Sequence, residues 1–265
     1  MAGTTAIALE HAGPVLRVTL DRPEARNAMS LAMVAELTAA LRDAEADGKT
    51  RVVVLRGAGG NFCAGADIKD MAAARGRLAE DPDAVVKVNA SFGALCSAYA
   101  ASTLAIVAAV QGGVMGGGFG LACVADVVVA ADDTVFRLPE TSLGVLPAQI
   151  APYLVERLGY SEAKRLAVTG SRIDAREALA IRLVHEVCAA DALDAAVERV
   201  TRDILQCAPG ALAATKALVR RARLTPPADL VEDAARAFSR AALGPEGVDG
   251  TTAFIQKRKP GWAPQ

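Results

Sequence analysis

A chain of 265 residues, 52% hydrophobic and 22% charged, is long enough to bury one large core or a core with a small helical appendage. Its formal net charge of −1 withholds the attraction that nucleic acid or an anionic membrane surface would exploit, so neither partner is expected. The five cysteines, Cys63, Cys96, Cys123, Cys188 and Cys207, are odd in number, widely spaced and mostly set among Ala, Val or Leu. They predict buried thiols in a reducing cytoplasm and exclude a disulfide framework or a zinc site.

Met1 to Glu10 has neither the basic segment nor the following apolar stretch of a signal peptide, so export is not expected. From Ile7 to Leu20 two alternating stretches split at Gly13-Pro14 predict a β-hairpin, with Val15, Arg17 and Thr19 on one face and Leu16, Val18 and Leu20 on the other. Asp21-Arg22-Pro23 ends it. Ser30 suits the N-cap of a helix running to about Asp47, in which Met33, Val34, Leu37, Ala40 and Leu41 recur at helical spacing and which Gly48 closes. Arg51 to Arg56 is a short β-branched run, the pattern of a strand buried on both faces, and residues 57–60 turn the chain.

Between Val88 and Ala125 there is no Asp, Glu, Lys or Arg, a run longer than the roughly 20 residues a spanning helix needs. A membrane span is set aside on three grounds: the apolar residues are mainly Ala, polar residues such as Asn89, Ser97 and Gln111 interrupt them, and Gly112-Gly113 and Gly116-Gly117-Gly118 would break a helix midway. The run predicts instead a buried helix, a strand and a glycine turn at the heart of a soluble protein.

Ala105 to Val110 and Asp126 to Ala130 repeat the apolar-strand pattern among helical stretches, which argues for βα units, a largely parallel sheet and an α/β core. Beyond about Gly159 helical periodicity dominates, over residues 161–168, 175–180, 191–206, 209–223 and 228–243, with only Leu183 to Val187 resembling a strand. No repeat or low-complexity linker separates the two portions, so they are expected to pack together.

Three segments follow predicted strands, the place where open α/β sheets hold ligands. The first, Asn61-Phe62-Cys63-Ala64-Gly65-Ala66-Asp67-Ile68, leads into a short helix. It is either an ordinary tight turn or a place where free N–H groups meet an oxygen carrying negative charge. The second, Gln111 to Gly120, matches the dinucleotide fingerprint weakly, without the ribose-binding acid or the Gly-Lys-Ser/Thr ending of a phosphate loop. A helix N-terminus offering amide hydrogens to an oxyanion is its simplest functional account. The third, Phe136 to Gly144, carries one carboxylate, Glu140, among mainly apolar neighbours. Desolvation would raise its pKa into the range of a general acid/base; the competing reading has Glu140 capping or pairing with Arg137. His11 and His185 are too few and too far apart for a metal cluster, and His185 reads as structural.

Together these segments resemble the crotonase (enoyl-CoA hydratase/isomerase) superfamily over almost the whole chain. Leu20-Asp21-Arg22-Pro23-Glu24-Ala25-Arg26-Asn27-Ala28 looks like its N-terminal signature, Phe62-Cys63-Ala64-Gly65-Ala66-Asp67 like its first oxyanion segment, and Gly116-Gly117-Gly118 followed by Ala125-Asp126 like its second. The resemblance implies an α/β fold: a spiral of ββα units over residues 1–200 and a helical region over residues 201–265 that drives trimerisation, often as a dimer of trimers. It implies an acyl-CoA thioester as substrate, with no further cofactor and no metal. It also implies that the amides of Ala66 and Gly117 form an oxyanion pair, that Glu140 is a catalytic glutamate, and that Ala25, Arg26, Ala28, Ala64, Asp67 and Ile68 line the pantetheine and adenine of coenzyme A.

Two-glutamate hydratases of the family carry a second acid where this chain has Gly120, and its loss favours a double-bond shift by a single base. Against that, Leu146 to Pro152 with Gly118-Phe119-Gly120 looks like a hydratase branch acting on 3-methylglutaconyl- or isohexenylglutaconyl-CoA, which also shows glycine there. Hydration of a 2-enoyl-CoA is therefore expected ahead of enoyl-CoA isomerisation, with non-catalytic acyl-CoA binding as a third reading. Gln149 is a water-positioning group or a solvated cap. The basic stretch Phe254 to Trp262 either meets coenzyme A phosphates, across a subunit boundary, or is a solvated helix end.

Overall fold

The computed structural model describes residues 5–264, so residues 1–4 of the N-terminal segment considered for export lie outside it. β1 (Ile7–Ala12) and β2 (Val15–Leu20) form the antiparallel hairpin, Ile7 opposite Leu20 and Ala12 opposite Val15. α1 (Leu31–Ala46) begins where the Ser30 hydroxyl accepts the Met33 amide. The chain continues through β3 (Val52–Gly57), α2 (Ile68–Gly76), α3 (Ala84–Ala101), β4 (Ala105–Val110), β5 (Gly113–Met115), α4 (Gly117–Val124), β6 (Val127–Ala131) and β7 (Val135–Arg137). After it come α5 (Ala151–Thr169), β8 (Arg172–Asp174), α6 (Ala175–Ala180), β9 (Glu186–Cys188), α7 (Leu193–Leu205), α8 (Pro209–Ala222), α9 (Pro227–Leu243) and α10 (Pro245–Ile255).

Six strands pair in the order β1-β2-β3-β4-β6-β9, parallel from β2 onward, and β5-β7-β8 make a second, smaller sheet. β4 and β6 enter the large sheet while β5 and β7, which follow them, enter the small one, so each turn of the spiral lays a strand on both. The small sheet has no counterpart in the sequence pattern, because strands of three residues are too short for alternation to register.

Alternation sorts the large sheet into two cores. Val53, Leu55, Ile106, Ala108 and Val110 join a cluster with α1, α3, α4 and α5, whereas Val52, Val54, Ala105, Val107 and Ala109 lie under Leu193, Ala196 and Val197 of α7. Both faces are covered, as parallel strands require, and each fully buried Leu or Val contributes about 2 kcal/mol through area removed from water.

Among the described residues α3 is the one helix long and apolar enough to cross a membrane, and here it packs against α1, α2 and α4. It is less buried than its composition predicts. Only Ala84, Leu95, Cys96 and Tyr99 are fully inside, with Phe92, Ala98 and Ala100 half-buried against the core and Ala90, Ala94 and Ala101 exposed. α5 starts earlier than expected, at Ala151, with Pro152 in its first turn, and Gly159 at φ 75° kinks it instead of preceding it. Cys63, Cys96 and Cys123 are buried free thiols, but Cys188 is half-buried and Cys207 exposed, which corrects the expectation that all five lie inside. The Arg51 guanidinium donates to the carbonyls of Leu205, Cys207 and Trp262, tying the C-terminal helices to the start of β3.

Candidate active site

The segment after the hairpin makes a single 3-10 turn at Pro23–Ala25 and then places Arg26 and Asn27 at φ 49° and 56°. Asn tolerates this left-handed region better than most residues. The fully buried Asn27 side chain accepts from the Arg22 amide (2.9 Å) and donates to Ala58 O (2.8 Å) and Asn61 O (2.7 Å), clamping this turn to the loop beyond β3. Residues 26–29 then run beside 64–67: Ala64 N donates to Arg26 O, Met29 N to Gly65 O and Asp67 N to Met29 O. Because Gly65 O and Asp67 N are both turned to Met29, the intervening Ala66 amide faces the other way. Among the described residues it has no acceptor.

The same pairing joins the stretches that carry Ala25, Arg26 and Ala28 on one side and Ala64, Asp67 and Ile68 on the other, with Arg26 and Ile68 exposed and Ala25, Ala28 and Ala64 half-buried. Asp67 is the anchor. Its carboxylate accepts the Lys69 amide (2.9 Å) at the start of α2 and pairs with Arg22 Nη1 (2.8 Å). Burial pushes its pKa up, but the Lys69 amide and the Arg22 guanidinium outweigh that and hold it below the ordinary carboxylate value.

A second arm lies against the first. Cys63 N donates to Gly113 O (3.0 Å) and Met115 N to Cys63 O (2.9 Å), so Phe62-Cys63 extends the small sheet beyond β5. Gly65 and Gly116, the residues just before Ala66 and Gly117, touch: a methyl on Gly116 would lie 3.5 Å from Gly65 Cα. Gly116 has φ 46° and Gly65 φ 99°, conformations that only glycine holds readily. Gly117 opens α4, and its amide likewise has no acceptor among the described residues. The two free amides therefore come from neighbouring turns. The buried Cys63 thiol donates to Gly65 O and lies against Gly118, and burial pushes its pKa up to about 11.

Glu140 begins a 3-10 turn after β7 and Pro139. The methyl on Gly116 would stand 2.9 Å from Glu140 Oε1, so acid and arms converge on one glycine. Glu140 Oε2 is buried with no hydrogen-bond partner, and desolvation raises the pKa above the ordinary value. The pairing with Arg137 does not form, because the guanidinium donates to Gly170 O (2.9 Å) and Ser142 Oγ (3.4 Å). Phe136 of β7 packs edge-on against Phe119 of α4, ring centres 5.7 Å apart, which holds the acid's strand to the donor's helix.

Several other residues complete the picture. Phe92 and Met29 stand beside Gly117, and Phe92 and Ile150 beside Gly120; Ile150 falls in the Leu146 to Pro152 stretch, but no motif marked Phe92 or Met29, because packing across helices leaves no local signature. Gln149 is seated against Gly93 and donates to Asn89 Oδ1 (2.8 Å), so it is held by α3 and is not a solvated cap. His185 Nδ1 accepts the Val128 amide (2.9 Å), and burial together with Arg157 lowers its pKa. The basic tail folds on its own chain, with Arg258 on Asp249 and Trp262 Nε1 on Gln206 O.

The family model described as enoyl-CoA hydratase/isomerase matches residues 10–265. Pseudomonas aeruginosa AtuE is 53% identical with a TM-score of 0.94, covering 98% of this chain and 100% of that one. The crystal structure of an enoyl-CoA hydratase/isomerase from Marinobacter aquaeolei is 47% identical with a TM-score of 0.93, covering 98% and 99%. A relative from Mycobacterium leprae (strain TN), named probable enoyl-CoA hydratase echA8, is 34% identical over 244 residues, 92% of each chain.

Proposed function

The chain belongs to the enoyl-CoA hydratase/isomerase family, and we propose that it adds water across the 2,3 double bond of an enoyl-CoA with Glu140 as its single acid/base. One observation carries this reading: a buried, unpaired carboxyl and two free amides meet at Gly116. In the proposed reaction the Ala66 and Gly117 amides receive the thioester oxygen, whose developing charge makes the β-carbon electrophilic. Glu140 takes a proton from water as the water oxygen bonds to the β-carbon and the π electrons move into an enolate. The enolate then takes that proton from Glu140 at the α-carbon, so one water is consumed and the carboxylate regenerated. The polarising work falls to backbone dipoles, and the reading calls for no metal and no cofactor beyond the coenzyme A of the substrate.

Ala25, Arg26, Ala28, Ala64, Asp67 and Ile68 form the rim assigned to coenzyme A, largely through backbone atoms. The sequence match of Leu146 to Pro152 supports a branched glutaconyl-type thioester, with Gln149 as a water-positioning group. A second reading, transfer of a proton between the α- and γ-carbons of a 3-enoyl-CoA, is favoured by the single acid, since Gly120 supplies none. Residues 1–200 would be the catalytic core and 201–265 the region through which copies assemble as trimers or pairs of trimers, in the cytoplasm where free thiols persist.

Incubation with crotonyl-CoA and 3-methylglutaconyl-CoA tests the reading through loss of the conjugated thioester absorbance. Turnover of a 3-enoyl-CoA alone would select the isomerase. Coenzyme A ester binding without either reaction would leave a binding protein.

A further inference from the structure

Helix α3 brings an aromatic side chain against the start of α4. A methyl placed on Gly117 would lie 3.5 Å from Phe92 Cζ and 3.8 Å from Met29 Sδ; one placed on Gly120 would lie 3.0 Å from Phe92 Cζ and 3.2 Å from Ile150. The first turn of α4 is therefore flanked on one side by the Glu140 carboxylate at Gly116 and on another by the Phe92 ring at Gly117 and Gly120. Phe92 is half-buried and packed against the core. The polar side chains on the same stretch of α3 are neutral: Ser91 donates to Val88 O, and Asn89 accepts from Gln149 of the segment before α5. An oxygen seated on the Gly117 amide, about 2.9 Å from its nitrogen, has the ring beside it and places its α- and β-carbons within reach of both ring and acid.

We propose that Phe92 is the specificity-determining wall of the acyl pocket, its ring limiting how large a substituent the thioester carries at the β-carbon. The proposal rests on the reading that an acyl thioester occupies the Gly117 amide. It also explains why position 120 is glycine: the ring and Ile150 already fill the volume that a side chain there would take. An apolar wall discriminates by contact and volume, and one methyl group against such a wall is worth a factor of about ten or more.

The test uses Phe92→Ala and Phe92→Leu on the full-length chain. kcat/KM is measured for crotonyl-CoA and for 3-methylcrotonyl-CoA, which adds a β-methyl group. In parallel, calorimetry gives Kd for butyryl-CoA and 3-methylbutyryl-CoA, which have no double bond to hydrate. The branched-to-linear ratio of kcat/KM should rise about tenfold in Phe92→Ala and the branched-to-linear ratio of Kd should fall by a similar factor, with the conservative Phe92→Leu between in both measurements. Gly120→Ala, which presses on the ring, should shift the ratio the other way, and far less in the Phe92→Leu background. Equal changes for branched and linear ligands in both variants, or an effect of Gly120→Ala that is unaltered when combined with Phe92→Leu, overturn the proposal. If the wild-type chain turns over neither of these substrates nor 3-methylglutaconyl-CoA while the binding ratio still shifts, the wall stands and the hydration reading falls.

Discussion

Glu140 is the residue on which the chemistry turns, and its environment makes two measurable demands. Desolvation raises its pKa with no cation to offset it, so the folded chain holds that proton more tightly than the unfolded chain does. The stability this contributes is complete below the ordinary carboxylate value of 4.5 and is lost as pH rises through the raised value. Glu140→Gln should therefore melt a few degrees higher than wild type near pH 7 and lose that advantage near pH 4, as calorimetry at the two pH values would show. The same variant should retain acyl-CoA binding and lose about a hundredfold or more in kcat, because the amide is nearly isosteric and exchanges no proton. For the wild type, kcat/KM should rise with pH along one ionisation that lies above 4.5; a rise centred at 4.5 would place the base elsewhere.

At the scale of elements, the site depends on two loops held in register by a side chain that takes no part in the reaction. Asn27→Ala leaves the buried carbonyls of Ala58 and Asn61 without their donor and puts a β-carbon residue with no amide side chain at φ 56°. It should cost about 3 kcal/mol in urea unfolding, and turnover should fall further than stability alone explains because the Ala58–Asn61 loop leads into the Ala66 donor. The hairpin, α1 and β3 were legible from alternation, the Ser30 cap and a β-branched run, all local properties of the chain. The start of α5 and the small sheet were not. Pro152 reads as a breaker until it is seen in a first turn, and β7 becomes a strand only because β5 and β8 lie beside it.

The C-terminal helices leave large apolar side chains uncovered. Leu224, Val231, Phe238, Leu243, Phe254 and Ile255 are each at least 66% exposed and all fall within the C-terminal helical stretch. A single chain in water gains by covering such side chains, and another copy of the chain is the partner always present with it. Sedimentation should show a species larger than one chain. Phe238→Asp should shift that species toward the monomer; a wild-type chain that sediments as a monomer at micromolar concentration would contradict the assembly.

By itself the amino-acid sequence determined the α/β class, the helical C-terminal portion and the three segments that meet at Gly116, because periodicity, caps and glycine-bearing turns act between neighbours along the chain. Only the tertiary structure decided that Arg137 turns to Gly170 and leaves Glu140 unpaired, that Gln149 is held by Asn89, and that Phe92 fills the space beside Gly120. Those outcomes are set by contacts through space between distant residues, and whether a buried group is paired or free depends on what the rest of the fold brings next to it.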